Sequence, residues 1–150
     1  MKKEQDPIEK AVSLFEKGFT CSQSVLAPFA SQFGLDEKTA LKLACGLGGG
    51  MGRQGLTCGA VTGAYLVLGL KYGSVSPEQK DAKEKTYQLV REFADKFKAL
   101  HKSTECQELL GYNLGDPDDA KIIKERNLTA TICPVMVRDA ATILQELLNK

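Results

Sequence analysis

The sequence predicts an all-α protein, a single-domain compact bundle of about six to eight helices. Leu and Ala together outnumber Val and Ile by 33 to 13, a balance that favours helix over strand. Apolar residues recur at three- and four-residue spacing, and no segment alternates with period two. Helix-capping residues punctuate the chain at short intervals, with no repeat and no linker to divide it. At 150 residues, with 43% hydrophobic and 26% charged side chains, residues 1–150 can bury one core without metals or disulfides.

Each element has its own signal. Residues 7–17 carry Ile8, Val12 and Phe15 on one helical face. Thr20 and Gln23 form a capping box for a second helix, about 21–33, with Val25, Leu26 and Phe29 inward and Gly34 at its end. Asp36 caps a third, about 37–45, stopped by glycines after Cys45. Thr57 is the expected N-cap of an apolar helix ending near Tyr72. Ser76-Pro77-Glu78-Gln79 opens the next, to about Leu100, with Ala82, Val90, Phe93, Phe97 and Leu100 as its buried stripe. Thr104 with Gln107 caps a short helix that ends at Gly111. Asp116-Pro117 opens another, to about Arg126, its acidic group Asp116, Asp118 and Asp119 complementing the helix dipole. The last helix is expected from Pro134 to Leu148, with Val137, Ala140, Ala141, Leu144 and Leu148 inward.

Charge and composition exclude several functions. Twenty basic residues face 19 acidic ones, so no global field draws nucleic acid or an anionic membrane. One histidine excludes bis-histidine haem and His-rich zinc catalysis, and His101, flanked by Lys98 and Lys102, reads as a solvated surface residue. The charged N-terminus has no apolar stretch behind it, so no secretory signal is expected. The longest apolar run without charge, Leu56 to Leu70, is shorter than a membrane span and contains three glycines. These signs predict a cytoplasmic protein without membrane insertion, its thiols kept reduced.

Five cysteines carry the chemistry: Cys21, Cys45, Cys58, Cys106 and Cys133. No pair forms Cys-x-x-Cys, which argues against a zinc ribbon, thioredoxin-type chemistry and covalently attached haem. Four of them fall at expected helix starts: Cys21 after Thr20, Cys58 after Thr57, Cys106 after Thr104, and Cys133 as the cap before Pro134. Unpaired N–H groups and the positive dipole end there favour the thiolate. Cys45 instead ends a helix and faces a loop with six glycines in ten residues, Gly46 to Gly55. Gly50 to Gly55 spells G-x-G-x-x-G, but a helix precedes it where a dinucleotide site needs a strand. The loop can fold back to bring Cys45 to Cys58, and its N–H groups with Arg53 suit an anion or the sulfurs of a cluster. Beyond it, Gly59 and Gly63 share one helical face, free for close packing or for a bound group, with Thr62 able to offer a hydroxyl.

Cys58-Gly59-Ala60-Val61-Thr62-Gly63 reads CGAxxG, with a cysteine upstream and two downstream. In this pattern the chain resembles the C_GCAxxG_C_C family of small redox-active proteins, over roughly Gly18 to the C-terminus. It is also similar to part of the split-Soret cytochromes, which carry an iron–sulfur centre as well as haem. The resemblance implies that Cys45, Cys58, Cys106 and Cys133 are the family's four cysteines, with Cys21 an extra.

Three functions follow as expectations. The first is thiol/disulfide electron transfer with a partner protein or small thiol, with Cys58 as nucleophile and Cys45 as its partner. The second is an electron carrier holding an iron–sulfur cluster or zinc on Cys45, Cys58, Cys106 and Cys133, with Gly59 and Gly63 making room. The third is a helical interaction module whose cysteines are scattered through the core.

Overall fold

The structure, a computed structural model, describes residues 6–150. The charged residues 1–5, on which part of the signal-peptide expectation rests, lie outside it. The described residues form eight α-helices: α1 (Pro7–Glu16), α2 (Cys21–Ala30), α3 (Glu37–Cys45), α4 (Gly59–Tyr72), α5 (Lys80–His101), α6 (Cys106–Leu110), α7 (Pro117–Glu125) and α8 (Leu128–Leu148). They contain no strand, only an isolated bridge between Thr57 and Glu105. The all-α expectation holds. Among the described residues, no helix is long and apolar enough to cross a membrane.

Local chemistry sets most boundaries. Asp6 accepts a hydrogen bond from the Ile8 N–H, and Pro7 occupies the first turn of α1, where its missing N–H costs nothing. The Thr20–Gln23 capping box is complete: the Gln23 N–H donates to Thr20 Oγ1 at 3.2 Å, and the Thr20 N–H donates to Gln23 Oε1 at 3.0 Å. Asp36 receives the Thr39 N–H, and Asp116 the Asp119 N–H. After α2 the chain tightens into a 3-10 turn, Ser31–Phe33, and leaves through left-handed Gly34.

Four boundaries differ from expectation, three because a tertiary contact outweighs the local signal and one because a tight local turn does. Thr57 is not the cap of α4: it pairs with Glu105, and Cys58 takes the cap position. Thr104 likewise yields its place to Glu105 before α6. Ser76 caps its own tight turn by accepting the Glu78 N–H, so α5 begins only at Lys80. The last helix starts six residues before Pro134. Left-handed Asn127 ends α7 and turns the chain directly into α8, and Leu128 and Ile132 pack against Cys106, Leu110 and Ile123. Pro134 removes one helical hydrogen bond, to the carbonyl of Ala130, a residue exposed to solvent.

The core is built chiefly from α1, α2, α4, α5 and α8. Phe29, Phe93 and Phe97 are fully buried, with Leu26, Val61, Leu68, Val137 and Leu144 around them. Leu100 leaves the expected stripe of α5 at 60% exposure, and Leu89 joins the buried side instead. His101 is not solvated. Its side chain is 13% exposed, Nε2 lies 2.8 Å from Asp139 Oδ2, and its ring packs 4.8 Å from that of Phe97.

The closest approach is between α2 and α4. A Cβ on Gly63 would sit 2.8 Å from the backbone oxygen of Ser22, and one on Gly59 would lie 3.0 Å from the Ser22 nitrogen and 3.1 Å from Cys21 Cβ. Both glycines therefore serve close packing, and this contact seats Cys21 beside the start of α4. Gly69, on the same helix, has nothing within 4 Å of such a Cβ. The two sites should respond oppositely to alanine. Gly69→Ala is expected to raise stability by about 0.5–1 kcal/mol through helix propensity, whereas Gly63→Ala should lower it by about 1–3 kcal/mol through overpacking. Urea unfolding of both variants checks this, and equal shifts would contradict the packing argument.

Candidate functional site

Cys21, Cys58, Cys106 and Cys133 border one cavity of about 770 Å³. Each comes from a different helix. Cys21 opens α2, Cys58 caps α4, Cys106 opens α6, and Cys133 lies in the second turn of α8. Cys45 is elsewhere, exposed on the last turn of α3. In the converging set, Cys21 thus stands where sequence reasoning had Cys45. The missed signal was the capping box: it fixes Cys21 on the first turn of α2, and the small faces of Gly59 and Gly63 draw that turn onto α4.

The glycine loop builds the opposite wall. Gly49, Gly50, Met51, Gly52 and Arg53 all adopt positive φ, which curls the chain back on itself. The Leu56 N–H then donates to the Gly50 carbonyl at 3.0 Å, and the Gly55 N–H to that of Gly49 at 3.3 Å. From this curl the strand-like segment before α4 pairs with the one before α6. Cys58 N–H donates to the Thr104 carbonyl at 2.8 Å, and Cys106 N–H to the Leu56 carbonyl at 2.6 Å. These bonds deliver Cys58 and Cys106 together. Gly50 is the pivot, since a Cβ there would come within 2.8 Å of Cys106 Cβ.

Of the other expected contributors, Gly59 borders the cavity, whereas Gly63 faces α2. Thr62 is buried and lies off the cavity wall, its hydroxyl donating back to the Gly59 carbonyl at 3.1 Å.

Burial decides the acidity of these thiols. Desolvation dominates at Cys58, which is only 5% exposed, and pushes its pKa up to about 11, although the Ala60 and Val61 N–H groups at the start of α4 draw it down. Cys106, 8% exposed, is pushed up to about 12 by desolvation, with the charges of Cys58 and Cys133 adding to it. Cys133 behaves in the opposite way. The Cys21 thiol donates a hydrogen bond to its sulfur, and this holds Cys133 below the ordinary cysteine value. The same bond, with burial, holds Cys21 well above it. Of the two, Cys133 is the one favoured towards its thiolate. Cys133 gains this without a helix start, because α8 begins well before it.

All five cysteines are free thiols. Among the described residues, no three His, Cys, Asp or Glu side chains converge on the position of one metal ion. Apolar side chains line most of the remaining wall, including Phe15, Phe19, Leu110, Ile123 and Met136, and among the described residues the charged ones on it are Arg53 and Lys124.

A family model described as "Putative redox-active protein (C_GCAxxG_C_C)" matches residues 19–147, a span that includes all five cysteines. No curated protein and no solved structure matches the chain.

Proposed function

The chain belongs to the C_GCAxxG_C_C family of redox-active proteins, and from that premise we propose that it exchanges electrons through a reversible disulfide between Cys133 and Cys21. The observation that carries this reading is the placement of Cys21 and Cys133 on one cavity wall, with Cys133 held below the ordinary cysteine value and Cys21 above it. Attack on a disulfide requires a thiolate, and resolution requires a second thiol within reach.

The steps balance as follows. The Cys133 thiolate attacks one sulfur of a substrate disulfide, and the second substrate sulfur leaves as a thiolate. Cys133 is then neutral, so Cys21 no longer donates to an anion and loses its proton more readily. That proton goes to the departed thiolate. Cys21 attacks Sγ of Cys133 and expels the remaining substrate half as a second thiolate. The protein has lost two electrons and the substrate has gained them. Cys58 and Cys106 stay protonated behind the pair. Cys58 was the nucleophile expected from the sequence, and its burial supports giving that role to Cys133.

A second reading rests on a separate observation, the gathering of four cysteines on one cavity wall. Cys21, Cys58, Cys106 and Cys133 would hold an iron–sulfur cluster, and such a group would supply one-electron transfer. Since no three donors meet at one ion's position, the group would have to be polynuclear.

Purification without air separates the two. The disulfide reading expects a colourless protein in which a limited dose of a small disulfide links Cys21 to Cys133, seen as one cross-linked peptide by mass spectrometry. Iron with matching acid-labile sulfide and visible absorbance would overturn it in favour of the cluster.

A further inference from the structure

The cavity has a charge character that the thiol chemistry does not require. Arg53 stands on the glycine loop and Lys124 on the last turn of α7, and no carboxylate joins them on the wall. Among the described residues, neither cation makes a salt bridge or a side-chain hydrogen bond, so neither is neutralised by the protein itself. The loop accommodates the arginine: a Cβ on Gly49 would lie 2.8 Å from Arg53 Cγ, so its stem crosses the loop over a residue without a side chain. The volume of about 770 Å³ falls within the range of small-molecule sites.

We infer that Arg53 and Lys124 select the oxidised substrate, and that it is a low-molecular-weight disulfide bearing carboxylates. This rests on the Cys133–Cys21 reading above. The apolar wall receives the carbon framework, the two cations hold the carboxylates, and the substrate sulfurs face Cys133. The thiolate attack proceeds as already written, with the substrate disulfide as the oxidant. A cationic disulfide meets repulsion from the same two side chains.

The test uses the full chain carrying Cys45→Ser, so that the exposed thiol does not compete, reduced and free of metal. Three probes are compared at pH 7: oxidised glutathione as the anionic disulfide, bis(2-hydroxyethyl) disulfide as the neutral one, and cystamine as the cationic one. The rate of mixed-disulfide formation at Cys133 should fall in that order. The extremes should differ by at least about tenfold at low salt, as steering by fixed charge allows. The spread should contract at high salt, and the double change Arg53→Gln with Lys124→Gln should bring the three rates together. Equal rates in the unaltered cavity, or an order that survives the double change, would overturn the selection by Arg53 and Lys124 alone. No reaction at Cys133 with any probe would overturn the disulfide reading and this inference with it.

Discussion

Replacing Cys133 with alanine should slow the reaction of the reduced Cys45→Ser chain with a small disulfide at pH 7 by at least about tenfold. Alanine is chosen because a serine hydroxyl would donate to Cys21 and help it ionise. The size of the effect follows from the remaining thiols. Cys58, held at about 11, is thiolate in about one molecule in ten thousand at pH 7, whereas an ordinary cysteine near 9 is ionised in about one in a hundred. Cys133 lies below that ordinary value and is ionised further still. A more basic thiolate is more nucleophilic, which returns roughly a factor of ten of the hundredfold difference in population. Poor access to Cys58 and Cys106 acts in the same direction as their low ionisation. The pH profile gives the sign. With Cys133 present, the rate is lost only as pH falls through its lowered pKa. Without it, the rate keeps rising as pH increases towards 11. A Cys133→Ala chain that reacts at the original rate with the original profile would remove Cys133 from the proposed chemistry.

The second large effect belongs to the loop. Gly50→Ala is expected to destabilise the fold by about 2–5 kcal/mol, because two independent costs meet at one position. Gly50 has φ +69°, which alone costs an L side chain about 1–2 kcal/mol. A Cβ there would also stand 2.6 Å from the Leu56 nitrogen and 2.8 Å from Cys106 Cβ, so the backbone must move. Gly34→Ala isolates the first cost, since Gly34 has φ +84° and open space around it. Urea unfolding of the two variants should therefore show the larger loss at Gly50. Alkylation of Cys106 should also accelerate in Gly50→Ala, because its wall has shifted. Equal losses at the two positions would mean that the loop does not clamp Cys106.

The helices were legible because their causes lie within a few residues. Asp6, the Thr20–Gln23 box, Asp36 and Asp116 cap their helices as local chemistry dictates, and the apolar spacing of α8 marked its inward face. Two of the misplaced boundaries share one cause. Thr57 carried a sound local signal, but Glu105, nearly fifty residues away, claimed it for a bridge. Pro134 looked like a start until Leu128 and Ile132 found their partners on α6 and α7. His101 read as solvated because only its sequence neighbours were visible, while Asp139 and Phe97 enclose it in space.

The sequence by itself determined the all-α class, the order of the helices, the CGAxxG motif and the membership that follows from it, and three of the four cysteines that converge. The tertiary structure alone decided that Cys21 completes the set, that Cys45 faces solvent, and that Cys133 is favoured as a thiolate over Cys58. The physical reason is that a helix start acts over one turn, whereas desolvation and a hydrogen bond between sulfurs depend on which distant segments pack together. At Cys58 both influences are present, and burial overrides the helix start.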